Sequence, residues 1–443
     1  MARKRRRNRI PQEAVELSIE SLNHDGRGVA HLDGKTLFVS GALPGELVTA
    51  KYLKVQRRYD EALVVDVLKP SAKRISPKCE VFGICGGCSL QHLSDADQIA
   101  FKQDSLIDML KRLGHVEPKA VLPALTNEVP WGYRRKARLG VKYVQKKEKV
   151  LVGFREKGTS FITDTRVCHV LHPHVGQLLE PLALLIAGFS IKDKVPQIEV
   201  AIDDSQCILN FRILDAFSEE DLLALKAFAE EHKLIIYLQT GGPDTVEPLQ
   251  TQAQLNYSLP EFAVDFDFEA TDFTQVNTDI NRKMVSLALK LLDPQAGDKI
   301  LDLFCGLGNF TLPLARHCKE VVGVEGDADL VDRARINARR NGIDNTRYYL
   351  ANLYETIDHE AWNHETFDRI LLDPPRSGAF EIVQMIEKFK AKKIVYVSCY
   401  PGTLARDLDV LVNQKGYTLE AAGVMDMFPH TGHVESIAVL SKK

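Results

Sequence analysis

From about residue 270 the chain repeats one motif: a short run of Val, Ile and Leu, a turn, then a longer amphipathic stretch. Parallel strands need a crossover between them, and a helix is the crossover that covers their apolar faces. The rhythm therefore predicts an α/β domain with a doubly wound sheet. Strands are expected at 299–303, 320–325, 347–350, 369–372 and 393–398. Helices are expected at 310–317, 329–341, 380–389 and 404–414. The closing runs "YTLEAAGVMDMF" and "HVESIAVLSK" read as two further strands joined as a hairpin.

Upstream the pattern changes. Residues 12–70 are short apolar runs punctuated by "NHDGRG", "DGK" and "ALPGE", which predicts a small antiparallel β-barrel. Its basic, aromatic tip, Arg57, Arg58 and Tyr59, suits RNA, although a solvated hairpin end accounts for it as well. Residues 75–265 are mixed α+β, with a helix near 97–113, strands near 137–143 and 150–154, and a loop at "TGGPDTVEPLQ". Residues 266–443 form the α/β domain, and residues 1–11 a basic arm.

Charge sharpens this division. Net charge is −3 over 443 residues, yet six of the first nine residues are Lys or Arg. Such an arm binds nucleic acid by releasing counterions, or else is a solvated tail. No apolar run is long enough to cross a membrane, and no apolar core follows the basic amino terminus, so a cytoplasmic chain is expected.

"ILDLFCGLGNFTLPLA" places a strand, Asp302 and a Gly-x-Gly turn before a helix, so the backbone can approach a ligand closely. Thr311 stands where the full dinucleotide fingerprint wants a third Gly or Ala. Asp302, and Glu325 on the next strand, suit S-adenosylmethionine better, because it has no pyrophosphate to cradle. "LLDPPRSG" ends another strand at the ligand crevice. Amino-group methyltransferases carry an aromatic after a similar Asp-Pro-Pro, and Arg376 here argues against that class.

"VYVSCYP" leaves Cys399 at a strand's carboxyl edge, with Pro401 opening a helix whose amino terminus would favour a thiolate. Most buried cysteines are packing, so position carries the catalytic reading. Carbon 5 of a pyrimidine is too weak a nucleophile to take a methyl group unaided. A thiolate added at carbon 6 makes an enolate that can do so, and a base must then remove the carbon 5 proton. Glu435, His430 and His433 in "DMFPHTGHVES" are the candidate bases.

Together "FTQVN", "DLFCGLGNF", "GVEGD", "LLDPPRSG", "VYVSCYP" and "DMFPHTGHVES" resemble the bacterial RNA uracil-5-methyltransferases, over the last ~170 residues. The barrel resembles a TRAM domain of OB-like type, and the cysteine pattern resembles that family's iron-sulfur domain. The whole is most similar to the member that acts on 23S ribosomal RNA. The resemblance implies an S-adenosylmethionine-dependent, Rossmann-like catalytic domain, with Cys399 as nucleophile and Glu435 as base. It further implies that Gln275, Phe304, Asn309, Glu325, Asn352 and Asp373 contact cofactor, some of them the target uracil too; separately, a monomer without a membrane is expected. Tyr400 departs from the Asn that commonly follows the nucleophile, which puts the loop geometry in question.

Cys79-x5-Cys85-x2-Cys88, with Cys168 as fourth ligand, could hold zinc or iron-sulfur, and spacing does not choose. The resemblance chooses a [4Fe-4S] cluster with a structural part. "WGYRRKARLGVKY" interleaves aromatics with Arg134, Arg135, Lys136 and Arg138, a composition that suits single-stranded RNA, although a solvated basic strand is the other reading. The competing expectations are a uracil-5-methyltransferase of transfer RNA, a radical methylthiotransferase and a non-catalytic RNA-binding protein. Sheet type and cysteine spacing argue against the second, and Cys399 with Glu435 against the third.

Overall fold

The structure, a computed structural model, describes residues 10–355 and 357–442. The expected basic arm thus lies almost wholly outside the described residues. The described chain divides into two units, the first made of residues up to 105 with 155–163 and 428–433, the second of 106–154, 164–427 and 434–443.

In the first unit, strands Val15–Ser18, Leu47–Val55, Tyr59–Lys69, Lys35–Ser40, Gly28–Leu32 and Ser21–Leu22 pair in that order. Alternating residues such as Leu37, Val39, Val48, Ala50 and Ala62 are fully buried, the period-2 signature of a sheet with one covered face. One pair departs from the antiparallel expectation: Lys35–Ser40 runs parallel to Tyr59–Lys69, because Leu47–Val55 returns the chain before the second of them forms. Buried Glu46 closes the far end by accepting hydrogen bonds from the Arg74 guanidinium at 2.5 and 2.7 Å and from the Leu43 N–H at 2.8 Å.

In the second unit a sheet of Val246–Pro248, Ile235–Gln239, Cys207–Arg212, Gln197–Ile202, Lys136–Val144 and Lys149–Gly153 packs on helices Leu179–Ala187 and Glu219–Glu231. Part of the loop expected at "TGGPDTVEPLQ" is the short strand Val246–Pro248, whose Val246 pairs with Gln239. Edge pairing of three residues left too little pattern to read.

The larger sheet of this unit follows the predicted rhythm. Its order is Thr346–Leu350, Glu320–Glu325, Lys299–Leu303, Arg369–Leu372, Lys393–Ser398, Glu435–Lys442, Tyr417–Met425 and Ala120–Val121. The first five strands are parallel, and the last two long strands form the expected antiparallel hairpin. Central strands read as unbroken apolar runs, and Ile300, Leu301, Ile370 to Leu372 and Ile394 to Val397 are all buried, as two covered faces demand. Trp362, Phe389, Tyr396 and Leu404 fill one side of the sheet. The helix expected at 310–317 is only Thr311–Ala315, and those at 380–389 and 404–414 end in a 3-10 turn and a π turn.

Candidate active site

The antiparallel register sets the chemistry. Ser398 pairs with Ser436, and the Ser436 hydroxyl donates to the Ser398 carbonyl at 3.1 Å. Side chains alternate across a strand, so the next residue of one strand, Cys399, comes opposite the preceding residue of the other, Glu435. Glu435 is 4% exposed and Cys399 is half-buried. Burial first, then the Glu435 and Asp373 carboxylates, push the Cys399 thiol up to about 11, while Arg376 opposes them. Burial and Asp373 likewise hold the Glu435 carboxyl well above its usual range, again opposed by Arg376.

Burial and the two carboxylates act on the sulfur in the opposite sense to the helix end that was expected to favour a thiolate. Pro401–Asp409 does begin at Pro401, but a helix end gives a partial charge, while two carboxylates and burial act more strongly on the same sulfur. Arg376 is the functional neighbour that sequence reasoning missed. Its signal was a lone cation in an otherwise apolar Asp-Pro-Pro turn.

At the glycine turn, Gly306 and Gly308 adopt φ of 54° and 97°, and Phe304 itself has φ 64°. A Cβ on Gly306 would meet nothing within 4 Å, so the turn leaves open space above it. The Glu325 carboxylate faces the turn, accepting from the Gly306 N–H at 3.0 Å, the Gly326 N–H at 2.7 Å and the Asp327 N–H at 3.1 Å. Asp302 is fully buried; Thr311 donates to its Oδ2 at 2.5 Å, and its Oδ1 has no partner. Burial, with Asp373 and Glu325 adding to it, pushes Asp302 up to about 7. Burial, then Glu325, brings Asp373 to about 7 as well. Mutually repelling acids around an open turn, one with an orphaned oxygen, fit a cationic ligand that also offers hydroxyl donors. A sulfonium nucleoside meets both conditions.

The other expected contacts differ in kind. Phe304 lies 5.8 Å from the Tyr354 ring, ring centre to ring centre. The exposed Asn352 donates to Glu355 at 2.7 Å. Gln275 lines a cleft with Arg135, Asp203, Tyr257, Thr278 and Asn281. Asn309 exchanges two 3.0 Å hydrogen bonds with Asn281 and accepts a third from the Tyr257 hydroxyl at 3.0 Å, so its amide braces the turn. His430 and His433 belong to the first unit, where His430 is buried and its N–H donates to Gln98 at 2.8 Å.

The four expected ligand cysteines are all partly buried. Cys79, Cys85 and Cys88 lie in the first unit, on turns held by the Cys79 N–H to Gln91 bond of 3.1 Å and the Gly86 N–H to Arg155 bond of 2.8 Å, and Cys168 lies in the second. Thiols are the right donors for a cluster, but among the described residues no three His, Cys, Asp or Glu are gathered closely enough to hold a metal ion.

A parallel sheet with acids at its glycine turn defines a methyltransferase of the S-adenosylmethionine-dependent class. Comparison with known proteins narrows the class. Residues 249–443 match the tRNA (Uracil-5-)-methyltransferase family model and residues 11–65 the TRAM domain. The 23S rRNA (uracil(1939)-C(5))-methyltransferase RlmD of Xanthomonas oryzae is 51% identical, with 99% of this chain and all of that protein aligned. RlmD of Alkalilimnicola ehrlichii is 53% identical over 99% of both chains. A crystal structure of Pyrococcus abyssi tRNA (uracil-54, C5)-methyltransferase with S-adenosyl-L-homocysteine is 24% identical and shares the fold, with a TM-score of 0.73 over 96% of this chain and 99% of that one. The chain belongs to the RlmD family of 23S rRNA (uracil-C5)-methyltransferases.

Proposed function

We propose that this chain methylates carbon 5 of the uracil of 23S rRNA equivalent to position 1939, with Cys399 as nucleophile and Glu435 as base. The observation that carries the reading is the register that sets Cys399 opposite Glu435 at the edge of the cofactor crevice. Cys399 loses its thiol proton to solvent, its Sγ then bonds to carbon 6, and the electrons of the 5,6 double bond pass to carbon 5 and the ring carbonyl. S-adenosylmethionine, when bound, would supply an electrophilic methyl to carbon 5, its sulfonium carbon–sulfur bond breaking to leave a neutral thioether. Glu435, once deprotonated and made a stronger base by its burial, then removes the carbon 5 proton, the double bond re-forms and Sγ departs with its electron pair. Arg376 lowers the cost of forming the thiolate.

Glu325, Asp302 and the turn at Phe304 would hold the cofactor, with Gln275, Asn352 and Asp373 reaching cofactor or uracil. Residues 12–70 and the Arg134–Arg138 strand would hold RNA, and 266–443 would do the chemistry. The thiols of Cys79, Cys85, Cys88 and Cys168, in a central domain of 75–265, would carry a [4Fe-4S] cluster of structural role. The support is their donor type and spacing. We further place the activity in the cytoplasm, where ribosomal RNA is, and on a single chain. No described helix is long and apolar enough to cross a membrane.

Mapping 5-methyluridine in 23S rRNA from a deletion strain tests the reading. The mark should vanish from one uracil and return with the wild-type gene but not with Cys399→Ala. A mark that persists in the deletion strain, or returns with Cys399→Ala, defeats it.

A further inference from the structure

The acid near the end of the helix that follows Cys399 is a hub that the reaction steps leave unused. Asp407 is fully buried. Its carboxylate accepts the Tyr396 hydroxyl at 2.7 Å, the Ala379 N–H at 2.7 Å and the Arg406 guanidinium at 2.8 Å. Further bonds hold the same loop residue by residue. Thr403 donates to the Arg376 carbonyl at 3.1 Å, Arg406 to the Ser377 carbonyl at 2.9 Å, and the Tyr354 hydroxyl to the Gly378 carbonyl at 3.1 Å. Gly378 has φ 78°, and a Cβ on it would stand 2.6 Å from the Asp407 carboxylate, so the loop backbone lies directly against the acid.

A buried, charge-paired acid is a weak source of stability, since apolar residues of equal volume often serve as well, but it does fix geometry. The loop in question carries Arg376. We infer that Asp407 is a positioning residue, which with Tyr396 and Thr403 clamps residues 376–379 so that Arg376 stays turned toward Cys399 and Glu435. The inference rests on the reading of Cys399 as nucleophile.

The direction of the effect follows from which groups face the sulfur. Glu435 comes from the last strand, Asp373 from the end of its own strand, and Arg376 from the clamped loop. Asp373 is held separately, its N–H donating to the Leu303 carbonyl at 3.3 Å. A loosened clamp therefore withdraws the one cation and leaves both carboxylates, so the thiolate becomes harder to form.

The test uses three variants of the full chain: Tyr396→Phe, Thr403→Val and Asp407→Asn. For each, methyl transfer and peptide-resolved alkylation of Cys399 are followed against pH. Expected is an approximately tenfold slower alkylation at pH 8, the change that one unit of thiol pKa brings, regained as the pH rises, with KM for RNA unchanged. Tyr396→Phe and Thr403→Val keep shape, so they decide the matter even if Asp407→Asn fails to fold. Wild-type pH profiles in both would overturn the inference, whatever the melting temperature does. Full activity in a parallel Cys399→Ala control would instead strike at the reading of the nucleophile.

Discussion

The neighbours of Cys399 act against its thiolate in the ligand-free chain. With a thiol near 11, about one molecule in ten thousand carries a thiolate at neutral pH. Alkylation of Cys399 in the ligand-free protein should therefore rise about tenfold per pH unit and remain unsaturated at pH 9. A plateau below pH 8 would show that the carboxylates do not govern the sulfur. Asp302 obeys the same electrostatics on the stability side. Its folded value of about 7 lies above the ordinary 3.8, so the folded chain holds a proton that the unfolded chain releases. That contribution to stability is complete below about pH 4 and is lost as the pH rises through 7. Asp302→Asn should consequently raise the melting temperature of the ligand-free protein by about 3 °C or more at pH 8.5, and change it less at pH 5. Thermal unfolding at the two pH values checks this.

At the scale of elements, the site is a product of strand register. The pairing of Ser398 with Ser436 brings together residues 36 positions apart in sequence, Cys399 and Glu435. Shifting that register by one would turn one of them to the opposite face. The hairpin that contributes Glu435 is backed by Ala120–Val121, and Gly423 permits the approach: a Cβ there would lie 2.7 Å from the Leu122 Cβ and 3.0 Å from its carbonyl oxygen. Gly423→Ala should cost about 1–3 kcal/mol of stability, measured by urea unfolding, without altering the cofactor turn. Sequence pattern revealed the five parallel strands because burial on both faces leaves continuous apolar runs such as "KIVYVS" and "RILL". It also put Cys399 directly after the strand Lys393–Ser398, where the structure has it. It did not reveal Arg376 or Asp407. Their roles depend on a loop packing against a helix more than twenty residues later, and no local period records that. The hydrogen bonds of Asn309 to Asn281 and Tyr257 were not legible either, because those partners come from a distant helix and hairpin.

Over the whole molecule, charge and chemistry occupy different stretches of chain. The proposed catalytic residues fall in 266–443, while the densest positive charge falls in the first nine residues of a chain with net charge −3. Removing residues 1–9 should flatten the salt dependence of RNA binding, lowering the slope of log K against log salt by up to about 4, with kcat unchanged at saturating RNA. An unaltered slope would mean that the arm stays off the phosphates.

The most direct test of the account is mass spectrometry of the enzyme incubated with S-adenosylmethionine and a 23S rRNA fragment carrying 5-fluorouridine at the target. Fluorine at carbon 5 cannot be removed as a proton, so the reaction should halt with RNA bonded to the peptide containing Cys399. Turnover with no adduct, or an adduct on any of the other seven cysteines, would contradict it.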